Sequence, residues 1–567
     1  MATRSTLGTL RHVSSVNRRD SPSELSNERG RLTRLPTESL PTEPNRLPAR
    51  VRGCGMAKDQ RRSVVVVGGG PAGLATAIGL RTFGVDCLLV ERHPSTLNFP
   101  KGRGISVRSM EIFRQWGVEP ELTEKALPRG ESLHVFMGDS LLAESFTRLT
   151  QPPEDAPPSP TDRLICAQTS MEEVLRARAT ALGADLRFGT SMTSFEQDSE
   201  GVTVHLSGPG SEGPLTLRTD WLIAADGHDS PIRNALGIER SGPGVVAHAV
   251  SVLVGADVAD RMQGRRSVIY RIADVPDATL LAVDNAHDWL LIYGYDPAET
   301  SAADLTDDRC LELARRAIGD PTVPVRLLGT RFWASTALVA NDFRRDRVLL
   351  VSDAAHVTTT LGGLGMNCGI ADVHNVTWKL AGVINGWADP SLLDTFHAER
   401  HPVAVATAQA SLGASRPPAP TKGIDLGYRY TSSVITSEDT DTPHVSDPVG
   451  DYVPSGAPGC RAPHLWLDQA QTRSTLDLFG AFFTWLIDGT AAEPLAVAEG
   501  SDVPLRMHVL HDHAWRKAYG LQPGGAVLVR PDGHVAWRGP MPNDADAHHI
   551  LLNALVLRVG SDFAVVG

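Results

Sequence analysis

Residues 63–92, "SVVVVGGGPAGLATAIGLRTFGVDCLLVER", constrain the fold more than any other stretch. Four valines enter a glycine cluster, a segment with helical apolar spacing follows, and a second apolar run ends in Glu91. The run Val64–Leu80 is long enough to suggest a membrane span, but five glycines and a proline interrupt it. It reads instead as strand, turn and helix. Gly68-x-Gly70-x-x-Gly73 between a strand and a helix is a dinucleotide fingerprint with a mechanism. Gly68 permits the tight turn, Gly70 lets the backbone approach a diphosphate, and Gly73 with Ala77 lets the helix lie close on a sheet. Pro71 and Ala72 open that helix, whose unpaired N–H groups and positive dipole end would meet the phosphates. Glu91, followed by Arg92, can accept hydrogen bonds from a ribose 2′/3′-diol, which disfavours a 2′-phosphate. Glycine spacing alone leaves NAD and FAD open.

At 567 residues the chain exceeds one core, and 41% apolar with 21% charged residues is a globular composition. The formal charge of −12 argues against a nucleic-acid partner. Six cysteines, Cys54, Cys87, Cys166, Cys310, Cys368 and Cys460, form no CxxC pair. That disfavours a zinc ribbon or disulfide scaffold and suits a reducing cytoplasm.

Residues 1–61 are rich in Arg, Ser, Thr and Pro and lack apolar periodicity, with eleven basic against six acidic residues through position 60. They are expected to be a disordered extension. An organelle-targeting peptide would suit the Arg and Ser content but not the acids and prolines. "MAKDQRRSVVVVGGG" reads as the functional start, with Met56 as initiator. From residue 62 strands and helices alternate: a strand at Val64–Val67, helices at Pro71–Thr82, Ser106–Trp116 and Ser170–Ala181, and a meander across Leu186–Leu206. Residues 240–345 carry alternating runs such as "SVIYRI" and "DWLLIYGY", the pattern of an antiparallel sheet. Long helices at Met366–Ile384 and Leu392–Ala410 follow. A Pro-, Thr- and Asp-rich linker spans 415–458, then a smaller α/β unit spans 459–567 with a hairpin around Pro531-Asp532-Gly533.

Three motifs in fixed order carry a resemblance. After the glycine loop comes "AADGHDSPIR", with Asp226, Gly227, Ser230 and Arg233. Then "VSDAAHVTTTLGGLGMN" runs from Asp353 and His356 to Gly362, Gly363, Gly365, Met366 and Asn367. Residues 62 to about 410 resemble the single-component FAD aromatic hydroxylases of the para-hydroxybenzoate hydroxylase type. The C-terminal unit resembles the thioredoxin-like domain of phenol and polyketide hydroxylases, here without a CxxC. "FPKGRGISVRSMEIFRQWG" leans toward the hydroxylases of tetracenomycin- and angucycline-type polyketides.

The implied fold is α/β: a Rossmann-like FAD-binding domain (62–239 and 346–414), an inserted antiparallel β-sheet substrate domain (240–345), and the thioredoxin-like unit. The implied activity is hydroxylation of an aromatic, polycyclic polyketide with NADPH or NADH and O2, through a C4a-hydroperoxyflavin. By motif, Asp353 would accept a hydrogen bond from a ribityl hydroxyl of FAD. Gly362, Gly363 and Gly365, with Met366 and Asn367, would admit the flavin edge to a helix N-terminus. Arg103 and Arg108 would meet the diphosphate or ring, Gln168 the ribityl or phosphate region, and Asp226 and Gly227 the cofactor. The substrate wall is expected in the 240–345 sheet, with Tyr270, Trp289, Tyr293 and Tyr295 as candidates. No catalytic base stands out. The resemblance leaves room for a homodimer, and for no membrane and no metal; the spacing of His508, His511 and His513 fits no common ligand pattern.

Two departures stand out: Ser352 replaces a glycine, and Thr359 and Thr360 replace prolines. Loss of the prolines is expected to loosen the wall beside the flavin. A flavin halogenase is disfavoured by the missing W-x-W-x-I-P and a serine hydrolase by the missing G-x-S-x-G. A catalytically silent FAD or aromatic-ligand binder that protects an intermediate remains the alternative.

Overall fold

The computed structural model describes residues 61–96, 99–128, 134–150, 157–209, 215–413, 421–436, 445–491 and 503–556. The expected N-terminal extension lies outside the described residues, apart from Arg61. Five strands run parallel in the order Val348–Leu350, Leu215–Ala224, Arg61–Val67, Cys87–Glu91, Asp185–Phe188. The apolar runs Val64–Val66, Cys87–Val90, Trp221–Ala224 and Val348–Leu350 are buried at its centre, as a sheet covered on both faces requires, while the edge strand Asp185–Phe188 is half-buried. The last of these was expected to begin a meander. It instead joins the parallel sheet beside Cys87–Glu91, and only Ser191–Asp198 and Gly201–Ser207 form the antiparallel extension. A strand of four residues cannot by itself signal which neighbour it pairs with.

Register aligns the carboxyl ends: Val67 lies beside Ala224 and Val90, and Ala224 beside Leu350. Ligands of open parallel sheets bind in the crevice beyond those ends. The helix Pro71–Thr82 covers one face and crosses Leu364–Asn385 closely, since a Cβ on Gly79 would lie 2.7 Å from Thr377 Oγ1.

The second sheet has eight strands in the order His356–Val357, Arg326–Ala340, Arg240–Gly255, Asp288–Tyr295, Ala278–Ala282, Ile269–Ile272, His134–Gly138, Thr147–Thr150. Its last two strands come from the chain before residue 239, and Ile269–Ile272 pairs with His134–Gly138 in parallel. The amphipathic helix Asp307–Ile318, capped by Thr306 and ended by Gly319 at φ 84°, covers one face.

The C-terminal unit is a four-stranded sheet ordered Leu505–Leu510, Phe483–Asp488, Gly525–Val529, Val535–Pro540. The stretch read as a linker is, where described, a packed strap: Leu426, Tyr430 and Val434 are buried, and Tyr430 N donates to Gly459 O. Its Pro and Asp content hid a small set of well-spaced apolar anchors. Among the described residues no helix is long and apolar enough to cross a membrane.

Candidate functional site

The crevice is built from the glycine loop upward. Gly68 adopts φ +112°, and a Cβ there would stand 2.1 Å from Ala225 O. A Cβ on Gly73 would stand 1.9 Å from Gly68 O. These two glycines are required by the protein itself. Gly70 is different: no atom lies within 4 Å of the position of its Cβ, so packing does not demand a glycine there. It caps the helix Pro71–Thr82 without a side chain, and the first turn carries no acid, which leaves the helix end open to an anion. Ala72 is buried behind it and Arg92 is exposed. Glu91 folds back, Oε2 accepting from Gly69 N at 2.6 Å and Oε1 from His93 N at 2.8 Å. Its carboxylate thereby shapes the loop from the expected ribose end.

Asp226 follows the strand end beside Gly68. Its Oδ2 accepts from Ile232 N at 3.2 Å, while Oδ1 is buried without a partner. Ser230 caps the short helix Pro231–Ala235, and Arg233 Nη1 donates to Ala354 O at 3.0 Å. The Asp-Gly-x-x-Ser-x-x-Arg segment is thus tied directly to the turn that carries Asp353. Asp353 presents open surface although protein surrounds it, and that surrounding raises its carboxyl above the ordinary carboxylate range. An acid that is solvent-open yet deep in the fold marks the floor of a cleft.

Beyond Asp353 the chain turns through Gly362 and Gly363, φ +81° and +64°, into the helix Leu364–Asn385. That N-terminus has no side-chain cap and no acid in its first turn. Asn367 braces it: Nδ2 donates to Gly363 O at 2.7 Å and Gly104 O at 3.0 Å, and Oδ1 accepts from Ser106 N at 2.9 Å. Gln168 Oε1 accepts from Gly102 N at 3.0 Å, close to Met366, and its Nε2 donates to Glu172 at 2.8 Å. Gln168 and Asn367 therefore hold the two loops that flank the cleft. A Cβ on Gly365 would meet Thr358 Oγ1 at 2.8 Å, so this glycine serves loop packing.

Arg103 lies across the cleft against the second sheet, donating through Nη1 to Ala282 O. Its Nε and Nη2 are buried without partners. Burial pulls it down to about 10, so it stays charged at neutral pH. Two orphaned guanidinium nitrogens fit an anionic or oxygen-rich ligand. Arg108, expected at the diphosphate or ring, is not brought there. Its guanidinium binds Glu111 Oε2 at 3.0 Å, Asp532 O at 2.6 Å and His374 Nδ1 at 3.4 Å.

The four aromatic candidates for the substrate wall fall on the wrong face. Tyr270 and Trp289 are fully buried under the helix Asp307–Ile318, and Tyr293 and Tyr295 pack at the rim of the same cluster. Tyr270 OH contacts Ser267 N, Arg265 O and Asn285, and Trp289 Nε1 donates to Ala256 O at 3.1 Å. Alternation puts Ser251, Leu281, Leu290, Arg331 and Trp333 on the other face. There Phe99 packs on Gly329 and under Arg331, from the same segment that supplies Arg103. Half-buried Trp333, its Nε1 donating to Ser251 Oγ at 2.9 Å, is an aromatic on that face which the sequence reading did not name. The alternation of 326–340 held that signal.

Thr359 reverses an expectation. Its N donates to Ser411 Oγ at 3.1 Å and its Oγ1 to Ser411 O at 2.7 Å. A proline has no N–H to give, so two hydrogen bonds replace ring rigidity and the wall is pinned. Behind it, His356 Nε2 and Asp372 Oδ2 lie 2.6 Å apart and Arg400 Nε donates to Asp372 Oδ1 at 2.7 Å, all fully buried. His356, Cys368 and Asp372 are close enough to share an ion. Arg400, 3.2 Å from Cys368 Sγ, already supplies a cation there.

Asp425, whose Oδ2 accepts from Arg108 N at 3.1 Å, is pushed up to about 6 by burial. The folded protein then keeps a proton that the unfolded chain releases near pH 4, so this group's contribution to stability is lost as pH rises from about 4 to 6. Asp425→Asn retains the acceptor and removes that loss. It should be more stable than the parent by about 2–3 kcal/mol at pH 8, with a smaller gap at pH 5, in denaturant titrations at both pH values.

The FAD binding domain family matches residues 61–411, and the aromatic-ring hydroxylase C-terminal family matches 455–558. The chain belongs to the FAD-dependent aromatic-ring hydroxylases. It is 37% identical to the Tetracenomycin B2 monooxygenase-dioxygenase of Streptomyces olivaceus, covering 88% of this chain and 98% of that one. It is 35% identical to the Aklavinone 12-hydroxylase RdmE of Streptomyces purpurascens, covering 85% and 96%. The crystal structure of a ternary complex of aklavinone-11 hydroxylase with FAD and aklavinone superposes with TM-score 0.79 at 33% identity, covering 88% of this chain and all of the other. For an aromatic-ring hydroxylase the orphaned atoms of Arg103 and Asp226, the open Gly70 and the uncapped helix at Gly363 are the features an FAD would use. In this member Ser352, where the resemblance expects glycine, holds φ +56°, with its N donating to Asp372 Oδ2 at 3.1 Å.

Proposed function

We propose that this hydroxylase uses NADPH or NADH and O2 to hydroxylate a flat, polycyclic aromatic of polyketide type. One observation supports the reading: the glycine loop, Asp226 and Asp353 lie at the aligned carboxyl ends of neighbouring parallel strands, and Arg233 ties the Asp226 segment to the Asp353 turn. FAD, when bound, would accept hydride from the reduced nicotinamide and supply the centre that activates dioxygen. Gly70 and the helix Pro71–Thr82 would hold its diphosphate, Asp353 a ribityl hydroxyl, and the N–H groups at Leu364–Asn367 the pyrimidine edge. Those N–H groups stabilise negative charge at that edge without reorganising, because Asn367 already fixes the turn. Trp333 offers a flat apolar surface on which a fused-ring substrate stacks, and Arg103 a cation for its oxygens. Thr359, locked to Ser411, helps keep water from the reacting face. The other Gly-x-Gly-x-x-Gly spacing in the sequence, at 208–213, lies between two strands and opens no helix, in keeping with transient nicotinamide binding. The cysteine usage supports a cytoplasmic setting, and a homodimer is compatible with the group.

Purified protein should bind FAD, oxidise NAD(P)H faster with an anthracycline- or naphthacene-type aromatic, and yield a product one oxygen heavier. Trp333→Ala should raise KM for that aromatic by about tenfold while leaving the FAD dissociation constant unchanged, the loss expected for one aromatic contact. Bound FAD with no stimulated NAD(P)H oxidation across a broad aromatic panel would favour the silent binder instead.

A further inference from the structure

The C-terminal hairpin turn Pro531-Asp532-Gly533 is buried against the helix Val107–Gln115, and its backbone carbonyls point out of its own unit. The N-cap of that helix, Ser106, touches the turn Gly362–Asn367, the flavin loop of the reading above. Asp532 O accepts from Arg108 Nη2 at 2.6 Å and Pro531 O accepts from Gln115 Nε2 at 3.1 Å. Both donors sit on the helix Val107–Gln115, one at each end. Gln115 Oε1 also pairs with His374 Nε2, 2.7 Å away on Leu364–Asn385. The N-cap of the gripped helix, Ser106, donates its N–H to Asn367 Oδ1, and Asn367 Nδ2 holds Gly363 O. Gly363 has no other close tie: its own N–H reaches Thr360 O only at 3.4 Å, and nothing approaches its Cβ position.

We infer that Arg108 is a positioning residue for the flavin loop, through which the C-terminal unit sets the place of Gly363 by way of Ser106 and Asn367. The chain of contacts is Asp532 O to Arg108, the helix start at Ser106, then Asn367 and Gly363. The inference rests on the flavin reading above. It goes beyond it by giving the unit without a CxxC a part in cofactor affinity.

The test uses full-length holoenzyme, with the FAD dissociation constant and the visible spectrum of bound flavin as readouts, both measured well below the melting transition. Arg108→Lys keeps a cation beside Glu111 but is too short to reach the Asp532 carbonyl. It should weaken FAD by about tenfold and shift the flavin band, one charged hydrogen bond's worth of position. Gln115→Ala, which leaves every buried charge paired, should weaken it by about threefold, and it supplies the comparison if Arg108→Lys does not fold. In an Asn367→Ala background Arg108→Lys should add nothing further, since the relay is already cut. A lowered melting temperature with unchanged FAD affinity and spectrum in these variants would reduce Arg108 to a structural brace and overturn the inference alone. An undiminished effect of Arg108→Lys in the Asn367→Ala background would do the same. Parent protein that takes up no FAD would overturn both the inference and the reading beneath it.

Discussion

Gly68→Ala should purify colourless, with at least a hundredfold loss of FAD affinity, or fail to accumulate as folded protein. Two effects add. The residue holds φ +112°, a region open to glycine and strained for any Cβ-bearing residue. The new methyl would also stand 2.1 Å from Ala225 O and 2.6 Å from Ala225 C, backbone atoms that cannot rotate away. Relief requires the strand end at Ala224 to move, and Asp226 moves with it. Strain and overpacking together cost roughly 2–5 kcal/mol, concentrated where the diphosphate lies. The ratio of flavin to protein absorbance after purification, followed by FAD titration, measures it. Gly68→Ala with the parent's flavin content would remove the glycine loop from the cofactor site.

Glu399→Ala should destabilise the protein by about 3–5 kcal/mol in denaturant unfolding. The Glu399 carboxylate accepts from Lys379 Nζ, both terminal nitrogens of Arg530, Asn375 Nδ2 and Ser432 Oγ, at 2.7–2.8 Å. Glu399, Lys379 and Arg530 are all essentially inaccessible. Arg530 and Lys379 hold this carboxyl far below the usual range, against the burial that raises it. Truncation takes the carboxylate from Lys379 where water cannot reach and leaves Arg530 with Asp532 alone. Lys379 is already lowered to about 8 by burial and would fall further without its partner. An amine whose folded value lies below its unfolded one makes stability rise with pH. The deficit of the variant should therefore narrow by about 1–2 kcal/mol between pH 7 and pH 9. A deficit that is pH-independent, or under 1 kcal/mol, would show that this junction contributes little.

The readable part of this protein was its local chemistry. Four valines followed by spaced glycines specify strand, turn and helix wherever they occur, and Glu91, Asp226 and Asp353 mark strand ends that register then brings to one edge. Faces were less legible. Tyr270 and Trp289 read as wall residues because alternation reveals two faces without saying which one a later helix, Asp307–Ile318, will cover. Arg108 read as a cofactor ligand because its partners, Glu111 aside, are distant in sequence: His374, Asp425 and, more than 400 residues away, Asp532. The strap, described at 421–436 and 445–458, was obscured by turn-forming residues around its few apolar anchors. Thr359 looked like a loss of stiffness because a hydrogen bond to Ser411 leaves no mark in the spacing of residues.

The junction at the Pro531-Asp532-Gly533 turn also limits how such enzymes recombine. Hybrids that exchange C-terminal units between relatives would be spliced most naturally in the strap, yet every splice there separates Arg530, which pairs with Asp532 and Glu399, from Lys379 and Glu399. It also separates buried Arg461 from Glu111, to which its Nε donates at 2.8 Å. A workable graft has to transplant both halves of these ionic sets, or replace all of their members with apolar side chains of matching volume. Parents that differ at these positions should yield insoluble hybrids even when each half is sound by itself.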